Sequence, residues 1–236
     1  MARTEPLGAP PSSSEWDALA VQMARDGFVV VRAAVQGERL DVFRRLADNT
    51  ALTQEADYPG SDKDVGYASD DLSELLQSEP PVMPLLERLL GDPVFFVAWQ
   101  RVGLPNSQGA PWHQDWEREF WPPAVNLALY LDDVTPENGP TLAVPGTHAL
   151  PHPVFDDRPQ PREEAVLGPA GTVALFYPTV WHRGSANGTD RPRRALFCYY
   201  RAREAVRVRR SPDPEPGEGW VLGDPGEPDP HWSLNA

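Results

Sequence analysis

A histidine and an aspartate two positions apart carry the most specific chemistry in this chain: His113 and Asp115, in the run Pro111-Trp112-His113-Gln114-Asp115-Trp116. An extended segment points residues i and i+2 to one face, so an imidazole and a carboxylate project toward one point. A second histidine, His182, follows the apolar stretch that ends at Tyr177-Pro178-Thr179-Val180-Trp181. Two histidines and one carboxylate make the facial set that holds non-haem Fe(II) and leaves positions open for a cosubstrate and dioxygen. Each piece alone has an ordinary reading. His-x-Asp pairs occur by chance in many chains, and a histidine after an apolar strand commonly serves as a structural hydrogen-bonding residue. The context speaks for the metal. The two sites lie 69 residues apart (182 minus 113), with hairpin-rich sequence between them. Downstream, Asp190 to Leu196 place an arginine at the mouth of the next apolar strand. A guanidinium there can clamp a carboxylate through two parallel hydrogen bonds.

The elements that must position these groups fall into two halves. Ser14, followed by Asp17, reads as the N-cap of a first helix carrying Trp16, Leu19, Ala20 and Met23 at helical spacing. Asp26-Gly27 ends it, and Phe28 to Val31 is a short β-type run. A second helix carries Leu40, Phe43, Leu46 and Ala47 on one face; a third runs near Val82 to Leu90, stopped by Gly91. Residues 53–80 read as a polar loop with one helical turn near Leu72 to Leu76, and a loop of that length is a candidate lid or a plain surface loop. After Gly91 the period changes. Strands are expected at Val94–Gln100, Val125–Leu131, Thr141–Val144, Thr172–Tyr177 and Ala195–Arg201, separated by Gly, Pro and Asn turn signals. Helices first and strands later suggest an α+β layout, mainly β, with helices outside an antiparallel sheet or barrel. The domain expectation is a flexible arm at 1–13, one domain over 14–210, and an acidic Pro/Gly-rich tail at 211–236. That tail has a disordered composition, yet its Trp220 and Trp232 leave docking open.

The 236 residues include 21 basic and 35 acidic side chains, a net charge of −14. This balance argues against nucleic acid or an anionic membrane as a general partner. One cysteine, Cys198, excludes a disulfide framework and multi-cysteine metal sites within a chain. The N-terminus lacks a signal-peptide pattern and no apolar run approaches membrane-span length, so a soluble cytoplasmic protein is expected. Oligomeric state is unmarked in the sequence.

Taken together, the motifs resemble those of the phytanoyl-CoA dioxygenase family of Fe(II)/2-oxoglutarate oxygenases. The resemblance rests on His113-Gln114-Asp115-Trp116, the run from Leu131-Asp132-Asp133 to Asn138-Gly139-Pro140, Pro145-Gly146-Thr147-His148, and Trp181-His182 with Asn187 and Arg193. Asp26-Gly27-Phe28 and the following valines also look like this family's opening. The match spans roughly residues 15–203. It implies a double-stranded β-helix (jelly-roll, cupin-like) core. It implies His113, Asp115 and His182 as catalytic iron ligands, with 2-oxoglutarate and O2 as cosubstrates. Arg193, eleven residues past the distal histidine, becomes the partner of the 2-oxoglutarate C5 carboxylate; alternation puts it on one face with Ala195 and Phe197 while Arg194 points away. With Asp115 present, the resemblance implies hydroxylation-type oxidation of a small organic substrate, most plausibly a secondary metabolite, with release of succinate and CO2. Family members commonly carry serine two residues after the distal histidine. Here that position is Gly184 and the serine is Ser185, a departure that touches the finer cosubstrate contacts.

Other residues carry two readings each. Gln100 and Asn126, in expected core strands, either face the cosubstrate or satisfy neighbouring backbone. Trp116 and Trp121 either pack or wall a substrate pocket. His148 reads as a turn residue, and Cys198 as a buried small hydrophobe. The rival functions are a cupin-like metal-dependent isomerase or hydrolase, which needs no Arg193 clamp, and a non-catalytic small-molecule binder on the same fold.

Overall fold

The computed structural model describes residues 11–50, 53–54, 63–115, 124–150, 162–203, 207–209 and 221–223. The arm before residue 11 and most of the tail, with Trp220 and Trp232, lie outside the described residues.

Helix α1 spans Ser13–Asp26, and its N-cap is Ser12, not Ser14. The reason is the glutamate three residues on: Glu15 accepts the Ser12 N–H at 2.7 Å while the Ser12 hydroxyl accepts the Glu15 N–H. Asp17, the acid expected to serve Ser14, instead takes the Arg88 guanidinium at 2.6 Å. Gly27 ends the helix at φ +84, its N–H on the Met23 carbonyl. Glycine is required there twice over, because a Cβ would also stand 2.4 Å from His148 Nδ1. The Pro145–His148 turn docks on this helix end: Gly146 N–H donates to the Asp26 carbonyl, and the His148 ring packs on Tyr177.

Strand β1 (Phe28–Val31), helix α2 (Gly37–Asp48) and strands β2 (Thr53–Gln54) and β3 (Lys63–Tyr67) follow, then helices α3 (Asp70–Ser78) and α4 (Met83–Leu90). Residues 63–78 therefore depart from the expected loop. β3 pairs with the long strand β4 (Pro93–Gly103), and α3 is capped by Ser69, which accepts the Leu72 N–H. The remaining strands are β5 (Ala124–Tyr130), β6 (Thr141–Ala143), β7 (Glu164–Ala165), β8 (Val173–Phe176), β9 (His182–Gly184), β10 (Arg193–Ala202), β11 (Arg207–Arg209) and β12 (Val221–Gly223).

A seven-stranded antiparallel sheet runs β1-β8-β5-β10-β4-β3-β2, and a three-stranded one runs β7-β6-β9. They are the two faces of the jelly-roll core. Alternation divides the large sheet. Val125, Leu127, Leu129, Leu196, Cys198 and Tyr200 form one apolar core with the helices. Ala128, Tyr130, Ala174, Phe176 and Ala195 face inward toward Ala143 and Val166 of the small sheet side. β5 is buried along its whole length because both of its faces are covered. Among the described residues no helix is long and apolar enough to cross a membrane.

An ionic lock ties α2 to the sheet. Arg194 donates to Asp132 through its backbone N–H and its guanidinium, both at 2.8 Å, and reaches Asp48 at 2.7 Å. Burial works to raise the Asp132 carboxyl, but the Arg194 contacts outweigh it and the group sits below its ordinary value of 3.8. A depressed carboxyl stabilises the fold above its unfolded pKa, and that contribution is lost as pH falls through the folded value. Asp132→Asn is expected to cost about 1–2 kcal/mol at neutral pH, discounted for the pair's partial exposure. The gap to the parent should close as pH drops below about 4; urea unfolding at the two pH values measures it.

Candidate functional site

The metal motif is positioned by backbone pairing. His113 and His182 form an isolated antiparallel bridge in which each N–H donates to the other's carbonyl at 3.0 Å. This stitches the extended segment 111–115 to β9 and sets the two rings 4.4 Å apart. Asp115 N–H donates to the Pro178 carbonyl, which turns the carboxylate back toward the pair. Oδ1 of Asp115 lies 3.8 Å from His113 Nε2 and 3.7 Å from His182 Nε2. The two rings share one local device. His113 Nδ1 faces the carbonyl of Pro111, and His182 Nδ1 that of Val180, each two residues back at 2.9 and 3.0 Å. A nitrogen facing a carbonyl must carry the proton, so both Nε2 lone pairs are turned to the cluster. The three ligand atoms lie within 4.8 Å of one another, a set able to hold a metal ion.

Electrostatics favours the ligating protonation states. Burial, with the nearby His182, pushes His113 down to about 4, so it is neutral at neutral pH. Burial alone would raise Asp115, yet His182, His113, an Asn126 hydrogen bond and Arg101 hold it below its ordinary value. Asn126 Nδ2 donates to Oδ2 of Asp115 at 2.9 Å and leaves Oδ1 facing the histidines. Losing an outer partner of this kind typically costs 10–100-fold in metal affinity. Asn126→Ala is therefore expected to weaken Fe(II) binding by about that factor, read by anaerobic metal titration.

His113 and His182 line a cavity that Arg193 also lines. β10 alternates as expected: Arg193 faces in, and Arg194 faces out to Asp132 and Asp48. The Arg193 guanidinium lies over the Tyr130 ring at 5.2 Å, and the Tyr130 hydroxyl is bonded to Thr141 Oγ1 at 2.8 Å. Two of its nitrogens, Nε and Nη1, are buried without a hydrogen-bond partner. Buried guanidinium donors left unmatched are costly, and the economical complement is a carboxylate. The residues present thus fit a dicarboxylate that spans from the metal set to Arg193.

The remaining candidates divide. Asn126 and Ser185 line the cavity; the Ser185 hydroxyl donates to the Pro140 carbonyl at 2.7 Å. Gly184 also lines it, and a Cβ there would meet nothing within 4 Å. Gln100 is not brought to the site. It is buried on the helix-facing side of β4 with Ala98 and Val102, and alternation gives the cavity its neighbour Arg101 instead. Trp116 and Trp121 lie outside the described residues. Nothing in the sequence singled out Arg101, Tyr130, Thr141 or Tyr199, the last of which opposes Asn126 across the β5–β10 ladder. Tyr199 was within reach of the sequence, since period-two alternation from Arg193 arrives there.

A family model described as phytanoyl-CoA dioxygenase (PhyH) matches residues 23–195. An L-proline trans-4-hydroxylase of Streptomyces griseoviridis is 31% identical over 174 residues, 56% of this chain and 63% of the hydroxylase, so under two thirds of that relative is covered. An ectoine dioxygenase of Sphingopyxis alaskensis is 25% identical over 86% of this chain and 81% of its own. Among solved structures, the non-heme alpha-ketoglutarate-dependent epimerase SnoN from nogalamycin biosynthesis superposes with a TM-score of 0.69 at 22% identity, covering 91% of this chain and 98% of SnoN. EctD from S. alaskensis with 2-oxoglutarate and 5-hydroxyectoine gives 0.66 at 21% identity, covering 87% and 83%. At these identities the structural likeness speaks for the fold.

Proposed function

Because the chain belongs to the phytanoyl-CoA dioxygenase family, we propose that it is a non-haem Fe(II)- and 2-oxoglutarate-dependent dioxygenase that hydroxylates a small organic molecule. Its relatives are named for L-proline and ectoine, and a structural neighbour for nogalamycin biosynthesis. A small amino-acid-like or secondary metabolite is the corresponding substrate class here. The observation that carries the reading is one cavity holding both the His113–Asp115–His182 set and the unmatched Arg193 guanidinium.

His113, Asp115 and His182 would hold the iron, and Arg193 the distal carboxylate of 2-oxoglutarate. Bound iron with the oxo acid supplies oxidising power from dioxygen, releasing succinate and CO2. The chain's own residues do the placing. The Pro111 and Val180 carbonyls fix the imidazole tautomers. Asn126 anchors one carboxylate oxygen so that the other serves as donor. Arg193 sets the depth at which a five-carbon diacid stops. A purely metal-binding cupin needs no such cation.

Anaerobic titration of the iron-loaded protein with 2-oxoglutarate tests this. The weak visible charge-transfer band of a chelated keto acid should appear in the parent and be absent in His113→Ala. Iron bound with no band in the parent would overturn the assignment.

A further inference from the structure

Tyr130 is fully buried, and its hydroxyl meets Thr141 Oγ1 at 2.8 Å. Which of the two oxygens donates follows from counting. Among the described residues each hydroxyl has only the other as hydrogen-bond partner. If Thr141 donated, the phenol hydrogen would be left buried with no acceptor, a costly arrangement. Tyr130 therefore donates, and the Thr141 hydroxyl keeps its own hydrogen. Thr141 lines the cavity, so that hydrogen is available to whatever fills it.

The surroundings say what that is. The Tyr130 ring carries the Arg193 guanidinium 5.2 Å from its centroid, so the Thr141 hydroxyl and the unmatched Nε and Nη1 donors flank one aromatic side chain. Across the β6–β9 ladder Thr141 is paired with Gly184, and opposed residues of an antiparallel pair project to the same face. A Cβ at Gly184 would meet nothing within 4 Å, so the hydroxyl looks onto open space rather than a cross-strand side chain. The Ser185 hydroxyl and the amides of Asn138 and Asn187, which also line the cavity, donate instead to backbone carbonyls. A guanidinium and a neighbouring hydroxyl, both donors, call for a group that only accepts, and a carboxylate is such a group.

We propose that Thr141 is a cosubstrate-binding residue whose hydroxyl donates to the same carboxylate that Arg193 takes, with Tyr130 as the positioning residue that turns it there. This deepens the dioxygenase reading and rests on it. Tyr130 serves both donors at once: its face holds the guanidinium and its hydroxyl fixes the threonine rotor. Selectivity follows from the donor count. A five-carbon oxo acid without the distal carboxylate, 2-oxopentanoate, keeps the keto-acid end but gives neither Arg193 nor Thr141 a partner.

The test compares these two acids in anaerobic titrations of the iron-loaded protein, each followed through its charge-transfer band. Thr141→Val keeps the shape and removes the hydroxyl. It is expected to weaken 2-oxoglutarate about 10–100-fold, the worth of a hydrogen bond to a charged group, and to leave 2-oxopentanoate within a fewfold. Thr141→Ser should stay close to the parent for both acids. Tyr130→Phe, which retains the ring under Arg193, should weaken 2-oxoglutarate about threefold to tenfold with 2-oxopentanoate again unmoved. Gly184→Ser placed in the Thr141→Val background returns a hydroxyl from the opposite strand and should recover part of the loss. Each variant is read as a ratio of two ligands, so a general loss of stability does not imitate the result. Equal losses of both acids in Thr141→Val, no loss of either, or a loss in Thr141→Ser as large as in Thr141→Val would each overturn the assignment of Thr141 alone. Bound iron with no band in the parent would remove the dioxygenase reading, and this assignment with it.

Discussion

Asp115→Ala is expected to leave a folded protein that holds Fe(II) poorly and turns over at less than about a thousandth of the parent rate, since even outer partners of a metal ligand are worth 10–100-fold. The geometry gives the reason. Oδ1 is the donor atom common to both histidines, at 3.8 and 3.7 Å from their Nε2 atoms, and alanine reduces the site to two nitrogens. Asp115→Asn separates charge from volume. An asparagine amide must turn its NH2 either toward the two Nε2 atoms and the metal or against Asn126 Nδ2, itself a donor. The first orientation points donors at the metal; the second offers only an uncharged carbonyl oxygen while opposing two donors at Asn126, so the isosteric variant should bind Fe(II) far more weakly than the parent and be nearly as inactive as the truncation. Iron content per chain and succinate release measure both effects. Activity above a tenth of the parent in either variant would remove Asp115 from the metal set.

Arg193→Leu should produce an opposite pair of effects on binding and stability. The guanidinium is held over Tyr130 with Nε and Nη1 buried and unmatched, and burial depresses its pKa. Truncating one partner of a desolvated charge pair costs about 2–5 kcal/mol of binding, or roughly 30- to several-thousand-fold in 2-oxoglutarate affinity. In the ligand-free protein the same change deletes two unsatisfied buried donors, so the melting temperature should hold or rise. Arg193→Lys keeps the charge but not the planar fork, and should fall between. A melting temperature that falls with 2-oxoglutarate affinity unchanged would make Arg193 a structural residue.

These two variants also mark how far the site was legible in the sequence. Period-two alternation along the apolar run after Arg193 was enough to send Arg193 inward and Arg194 outward. The same logic could not choose between the two readings of Gln100, a cosubstrate contact or a partner for neighbouring backbone, because parity says which residues share a face and not which face is inside. Only the register of β4 against β10, where Gln100 opposes Leu196 and Arg101 opposes Ala195, settles that. β1 and α4 announced themselves through apolar runs and a terminal glycine. β3 did not. Lys63-Asp64-Val65-Gly66-Tyr67 is too polar and glycine-bearing to read as a strand, and it is held by its backbone ladder to β4. α3 carried its signal in Ser69 and the spacing of Leu72, Leu75 and Leu76, masked by the acidic residues around it. Thr141 and Tyr130 were hidden because nothing local to either reveals that their hydroxyls meet beside Arg193.

The backbone bridge between His113 and His182 has a consequence for assembly. Its two mutual hydrogen bonds close a loop of 69 residues (182 minus 113), whose length-dependent entropic cost is roughly 4 kcal/mol. Two peptide hydrogen bonds recover only a part of that, about 1–3 kcal/mol net. The closure is unfavourable on its own, so the ligand-bearing segments are expected to pin together only once the large sheet and its helices bring their anchors close. A divalent ion held by residues on both sides of the bridge acts as a reversible crosslink across that closure. Free metal concentration then sets how much of the time the two segments spend zipped, through the same mass action by which any ligand favours the state that binds it.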